Sequence, residues 1–182
     1  MRIEQLGNDE GKEFVALAEL HNSNNLNQEE LIKLATSMSN KSLTVQLLNG
    51  QLIAGESHLL SAVQNAVNSR EGDYMLSRSL DVEIVVYASA QKQIGKALDA
   101  LGVFDGLESI AVVAVSSDRS TLEESVSKLI GTIGNEVLPP FKPSEDRIRR
   151  IMQHYQIEDK EIDAISESND IESRLAALSR CI

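Results

Sequence analysis

Residues 110–115, Ile110-Ala111-Val112-Val113-Ala114-Val115, carry an apolar side chain at every position. In an extended strand successive side chains point to opposite faces, so this run leaves no face for water. It reads as a central strand covered on both sides, which requires helices above and below a sheet. The run is also the longest purely apolar stretch in the chain, far short of the roughly 20 residues that span a membrane.

The neighbouring patterns supply the layers. Leu43-Thr44-Val45-Gln46-Leu47 alternates apolar with polar, the signature of a half-buried strand. Leu59, Leu60, Ala62, Val63, Ala66 and Val67 follow helical spacing on one face. Residues 81–87, with Val82, Ile84 and Val86 on one side, read as a further strand. Ile94, Ala97, Leu98 and Leu101 form the next helical stripe, with Gly102 at its C′ position. Ser120-Thr121-Leu122-Glu123 has the form of a capping box opening a helix through Leu122, Val126, Leu129, Ile130 and Ile133, closed by Gly134.

Near the start, Phe14, Val15, Leu17, Ala18 and His21 read as one helix face, and Asn27-Gln28-Glu29-Glu30 as a helix start with Asn27 as N-cap and Glu30 reaching back. All three prolines fall in Pro139-Pro140-Phe141-Lys142-Pro143, through which no helix or central strand runs. Beyond them Ser144 caps a helix bearing Ile148, Ile151, Met152 and Tyr155, and a last helix carries Ile171, Leu175 and Leu178. The expectation is one domain over residues 1–182. It has a sheet-and-helix body to residue 138, a proline-rich joint at 139–143 and a helical appendage from 144. The fold class is α/β or α+β, with one central mixed sheet and helices packed around it.

Composition narrows the chemistry. Aromatics make up 3% of the 182 residues and tryptophan is absent, so the core is aliphatic. One cysteine excludes a disulfide scaffold and any zinc site built from several thiolates. No apolar run of signal-peptide length opens the chain, and a soluble cytoplasmic protein is expected. The formal net charge is −11, concentrated at the two ends, while residues 31–156 are nearly neutral. Such a balance opposes indiscriminate nucleic-acid binding but leaves room for a local basic site.

Catalytic constellations are weak. The chain has no P-loop, dinucleotide fingerprint, nucleophile elbow or histidine pair at metal-binding spacing, so no catalytic residue, metal or cofactor is assigned. Three local features remain. Ser57-His58 stands at the start of a helix, where free N–H groups attract anions. In Ser89-Ala90-Gln91-Lys92-Gln93-Ile94-Gly95-Lys96 a strand hands over to a helix, with Ser89 as N-cap and Lys92 and Lys96 on one solvent face. Arg78 lies between Ser77 and Ser79 just before the 81–87 segment. Each has an ordinary explanation as cap, wet helix face or loop.

The stretches AGESHLLSAVQNAV and SRSLDVEIVVYASAQKQIGKALDALGV resemble the small kinase-binding subunit of the KEOPS complex, the PRPK-binding protein family. The pattern is filled here by His58, Ser79, Glu83, Ile84, Tyr87, Ser89, Ala90, Lys92, Gln93, Ile94, Ala97, Leu98 and Gly102, and the likeness extends over residues 43–182. Lys92 takes the place of a more usual arginine, giving a point charge where a guanidinium would offer a fork.

The resemblance implies a non-catalytic subunit that binds the small atypical kinase of KEOPS. Through the kinase it meets the subunit that transfers threonylcarbamoyl to tRNA. It also implies contact with the tRNA 3′ CCA end, for which His58, Arg78, Ser79, Lys92, Gln93 and Lys96 are the candidates. Ile94, Leu98 and Val103 are the candidates for kinase docking. Two other readings stay open: a stand-alone acidic adaptor, and a hydrolase using His58 with Ser57 or Ser89.

Overall fold

In the computed structural model, which describes residues 1–7 and 13–182, the chain order begins β1 (Arg2–Gln5), β2 (Phe14–His21), α1 (Gln28–Met38) and β3 (Leu43–Asn49). A 3₁₀ turn (Gly50–Leu52) leads into α2 (Glu56–Glu71), α3 (Leu80–Ala88), α4 (Ile94–Leu101), β4 (Ser109–Ser116) and α5 (Arg119–Ile133). The short β5 (Asn135–Glu136), α6 (Glu145–Tyr155), α7 (Asp159–Ile165) and α8 (Ile171–Cys181) complete it. No helix among the described residues is long and apolar enough to cross a membrane.

The sheet runs β1-β2-β4-β3, with β5 sharing the outer edge of β2. Every pairing is antiparallel, so the sheet is not of mixed direction and the fold is the α+β form of the expected helix–sheet sandwich. β4 lies between β2 and β3, and its residues divide as their alternation requires. Ala111, Val113 and Val115 pack under α2, α3 and α4, whereas Ile110, Val112 and Ala114 pack against α1 and α5. The expectation drawn from the 110–115 run therefore holds.

Several local expectations hold as well. Asn27 accepts from Glu30 N at 3.0 Å while Glu30 Oε2 accepts from Asn27 N at 2.9 Å, closing the capping box of α1. Ser144 Oγ accepts from Arg147 N and starts α6. Others need correction. Residues 14–21 are the inner strand β2 rather than a helix, because Val15 and Leu17 face one layer and Ala16, Ala18 and Leu20 the other.

Residues 81–87 belong to α3, not to a strand. A short β-branched run is ambiguous by periodicity, and here Leu80, Glu83, Ile84, Val85 and Val86 are all buried, which suits a helix enclosed on most sides. The cap of α5 is Asp118, whose carboxylate accepts from Ser120 N and Thr121 N, two residues ahead of the expected capping box. Gly102 follows α4 at φ −64°, not in the left-handed region. Glycine fits there because a Cβ would stand 2.4 Å from Leu98 O.

The C-terminal helices have a small core of their own, where Ile148, Ile151, Ile162, Leu175 and Leu178 meet Ala54 of the body. One buried ion pair fastens them to the sheet. Glu19, on the otherwise apolar inner strand β2, accepts from Arg147 Nη2 at 2.7 Å, from Ser109 Oγ at 2.7 Å and from the Phe141 backbone N–H. Arg147 Nη1 donates to Gly50 O at 2.7 Å and Ile53 O at 3.0 Å. Its guanidinium stands 5.7 Å from the ring centre of the buried Phe141. The proline-rich joint thus closes over a satisfied network.

Candidate functional site

Four of the nine predicted residues line two grooves, His58 and Lys92 the first, Leu98 and Val103 the second. The first, about 280 Å³, lies between α2, the turn after α3 and the end of α8, with His58, Leu76, Tyr87, Ala90, Lys92 and Ser179 among its walls. His58 is 3% exposed. Its Nδ1 accepts from Ala54 N–H at 3.2 Å, which places the proton on Nε2 and makes Nε2 the donor to Ala88 O at 2.8 Å. Tyr155 Oη donates to the same carbonyl at 3.0 Å, so both lone pairs at the end of α3 are taken. Burial lowers the His58 pKa below its ordinary 6.5 and raises that of Tyr155. The imidazole is therefore a neutral structural tie between α2 and α3, and its two nitrogens are not free for an anion.

This tie has a pH consequence. The unfolded imidazole titrates near 6.5 and the folded one lower, so below 6.5 the unfolded chain binds more protons. Burial of His154 shifts it the same way. Stability is expected to be level above pH 7 and to fall as pH drops below about 6.5. Denaturant titrations at pH 7.5 and 5.5 should show this, and His58→Gln should flatten the difference. An unchanged difference in that variant would remove the assignment.

The other candidates do not all converge on this groove. Lys92 lines it, but stands in the turn before α4 rather than on one helix face with Lys96. Gln93 holds the N-cap position of α4. Arg78 and Ser79 are exposed, Ser79 at the N-cap position of α3 without a side-chain cap bond. Ser89 ends α3 instead of starting α4; its Oγ donates to Val86 O. Ser57 Oγ donates to Ser179, so neither serine pairs with His58 as nucleophile and base.

In the sequence Glu83 stands out only as part of the family motif. It is fully buried and accepts from Ser77 N at 2.8 Å, Leu76 N at 3.1 Å and Ser69 Oγ at 3.4 Å, anchoring the loop that carries Tyr74, Leu76 and Arg78. A carboxylate inside an apolar run was the available signal. No cluster of three or more potential metal ligands occurs among the described residues.

The second groove, about 350 Å³, runs between α1, the outer edge of β3 and α4. Ile32, Val45, Leu47, Leu98 and Val103 line it. Ile32 is 51% and Leu98 41% exposed, unusual for large apolar side chains beside a complete core. Ile94 is 37% exposed one turn before Leu98. Val103 is 7% exposed and packs with α1 and β4, so it is core and forms the floor rather than a docking contact.

The profile of the kinase binding protein CGI-121 family matches residues 18–180. The match takes in the second half of β2 and all of α1, which the resemblance in the sequence did not reach. Among curated proteins, the "Regulatory protein Cgi121" of Methanocaldococcus jannaschii is 30% identical over 114 residues, 63% of this chain and 73% of the relative. With nearly its whole folded length under one profile, the chain belongs to the kinase binding protein CGI-121 family.

Proposed function

We propose that this protein is the non-catalytic, kinase-binding regulatory subunit of a cytoplasmic KEOPS assembly for tRNA threonylcarbamoyladenosine. It binds the atypical kinase directly and meets the transferase subunit only through that kinase. The observation that carries the reading is the family match over residues 18–180. The exposed apolar side chains of Ile32, Ile94 and Leu98 on adjoining helices support it, since they offer a surface that water covers poorly. The groove beside Lys92 supports a minor role in holding the tRNA 3′ CCA end, with Tyr74 and Leu76 exposed on its neighbouring loop.

The test is gel filtration with light scattering of the chain against the KEOPS kinase of the same organism. A stable 1:1 complex is expected at tens of micromolar. Leu98→Glu should weaken it by about thirtyfold or more, as central interface anchors do, while circular dichroism stays native because Leu98 is part-exposed. No complex with the wild-type chain would overturn the reading. An unfolded Leu98→Glu chain would place Leu98 in the core and remove it from the docking face.

A further inference from the structure

The groove between α1 and α4 follows the free edge of β3, and an exposed edge is normally a template for an added strand. Here most of that edge is already taken. Leu43, Val45 and Leu47 are the alternate residues whose backbone groups face away from β4. Leu43 N already donates to Asn40 Oδ1 at 3.2 Å, and Leu43 O accepts from Asn40 N at 2.8 Å. Val45 N donates to Ser39 Oγ at 3.0 Å, while that hydroxyl's single proton goes to Ala35 O at 3.0 Å and leaves Val45 O open. Gln46 folds back so that its Nε2 donates to Leu47 O at 3.0 Å. A strand laid here would find just Leu47 N and Val45 O open, too few for a ladder.

What remains on offer is side-chain surface: an apolar floor between two helices, the shape that takes the apolar face of another helix. The charged residues in its lining are Asp81 at the start of α3 and Asp99 on α4, both acidic. Neither is held in an ion pair with a lysine or arginine among the described residues. Resting on the kinase-docking reading above, we infer that the kinase element seated in this groove is an amphipathic helix whose apolar stripe is flanked by lysine or arginine. The stripe covers Ile32 and Leu98 above the buried floor of Leu47 and Val103, and the flanking cations meet Asp81 and Asp99.

The full-length kinase is titrated with the full chain at two salt concentrations. Asp81→Lys/Asp99→Lys is expected to weaken binding about tenfold or more at low salt and less at high salt. Glu123→Lys/Glu124→Lys on α5 makes the same change in net charge away from the groove and should leave affinity within about twofold. Should the first double variant fail to fold, Asp99→Lys alone, on an exposed position, should still weaken binding at low salt. A photo-crosslinker at position 32 should capture kinase residues three or four apart, the spacing of a helix face.

Captured residues two apart, or equal effects of both double variants, would overturn the inference while leaving kinase binding in place. Capture of a second copy of this chain would also overturn it. Absence of any complex with the wild-type chain would instead bring down the proposed function on which it rests.

Discussion

Arg147→Ala is expected to cost about 3–5 kcal/mol of folding stability, the penalty for leaving one member of a buried ion pair behind. The Glu19 carboxylate would keep the donors Ser109 Oγ and Phe141 N–H but lose its cation inside the protein. Gly50 O and Ile53 O would each lose a donor, and the Phe141 ring its guanidinium cover. Domain stabilities are commonly about 5–15 kcal/mol, so such a loss is a large share of the whole. Urea unfolding of wild type and variant measures it directly. The pair Glu19→Gln/Arg147→Met should lose less than Arg147→Ala, because no bare charge remains. A loss below about 1 kcal/mol for Arg147→Ala would mean that the pair behaves as an exposed one.

Glu83→Ala is expected to cost about 3 kcal/mol, since two backbone N–H groups and a hydroxyl lose a charged acceptor. Glu83→Gln should cost roughly half as much, because its amide oxygen can still accept while its NH₂ faces a donor. The damage should centre on residues 72–79, read as faster amide exchange at Leu76 and Ser77. On the proposed tRNA-end reading, Glu83→Ala weakens binding of CCA-bearing tRNA by about tenfold, equivalent to about 1.4 kcal/mol, while kinase binding stays intact. Wild-type binding should carry a shallow salt dependence, about 0.7 per phosphate over two to four contacts on a single strand. A steep slope, or equal binding of tRNA lacking CCA, would reject that reading. Unchanged exchange at Leu76 and Ser77 would reject the clamp.

What was legible in the sequence follows from the range of the interactions. The covered strand at 110–115, the Asn27 capping box and the Ser144 cap depend on residues within one element, and they stand in the structure as expected. Residues 14–21 and 81–87 were misread because alternation and helical spacing overlap in short apolar runs, and the layer that covers them decides. The buried state of His58 depends on Ala88, thirty residues away. The Glu19–Arg147 pair joins residues 128 apart, which no local pattern encodes. The same limit split the candidate site: His58 and Lys92 share a groove, whereas Arg78, Ser79, Gln93 and Lys96 lie outside its walls.

The largely occupied edge of β3 also bears on how the chain behaves when it is alone. At the opposite side of the sheet β1 is four residues long and carries Arg2 paired with Glu4 and Glu56, so that side too is short and charged. An isolated copy therefore offers few open backbone groups for other copies to zip onto. Orphan chains should remain dispersed at concentrations where an uncapped sheet would form fibrils, and Gln46→Val, which frees Leu47 O and adds β-branching, is the change that would expose the hazard.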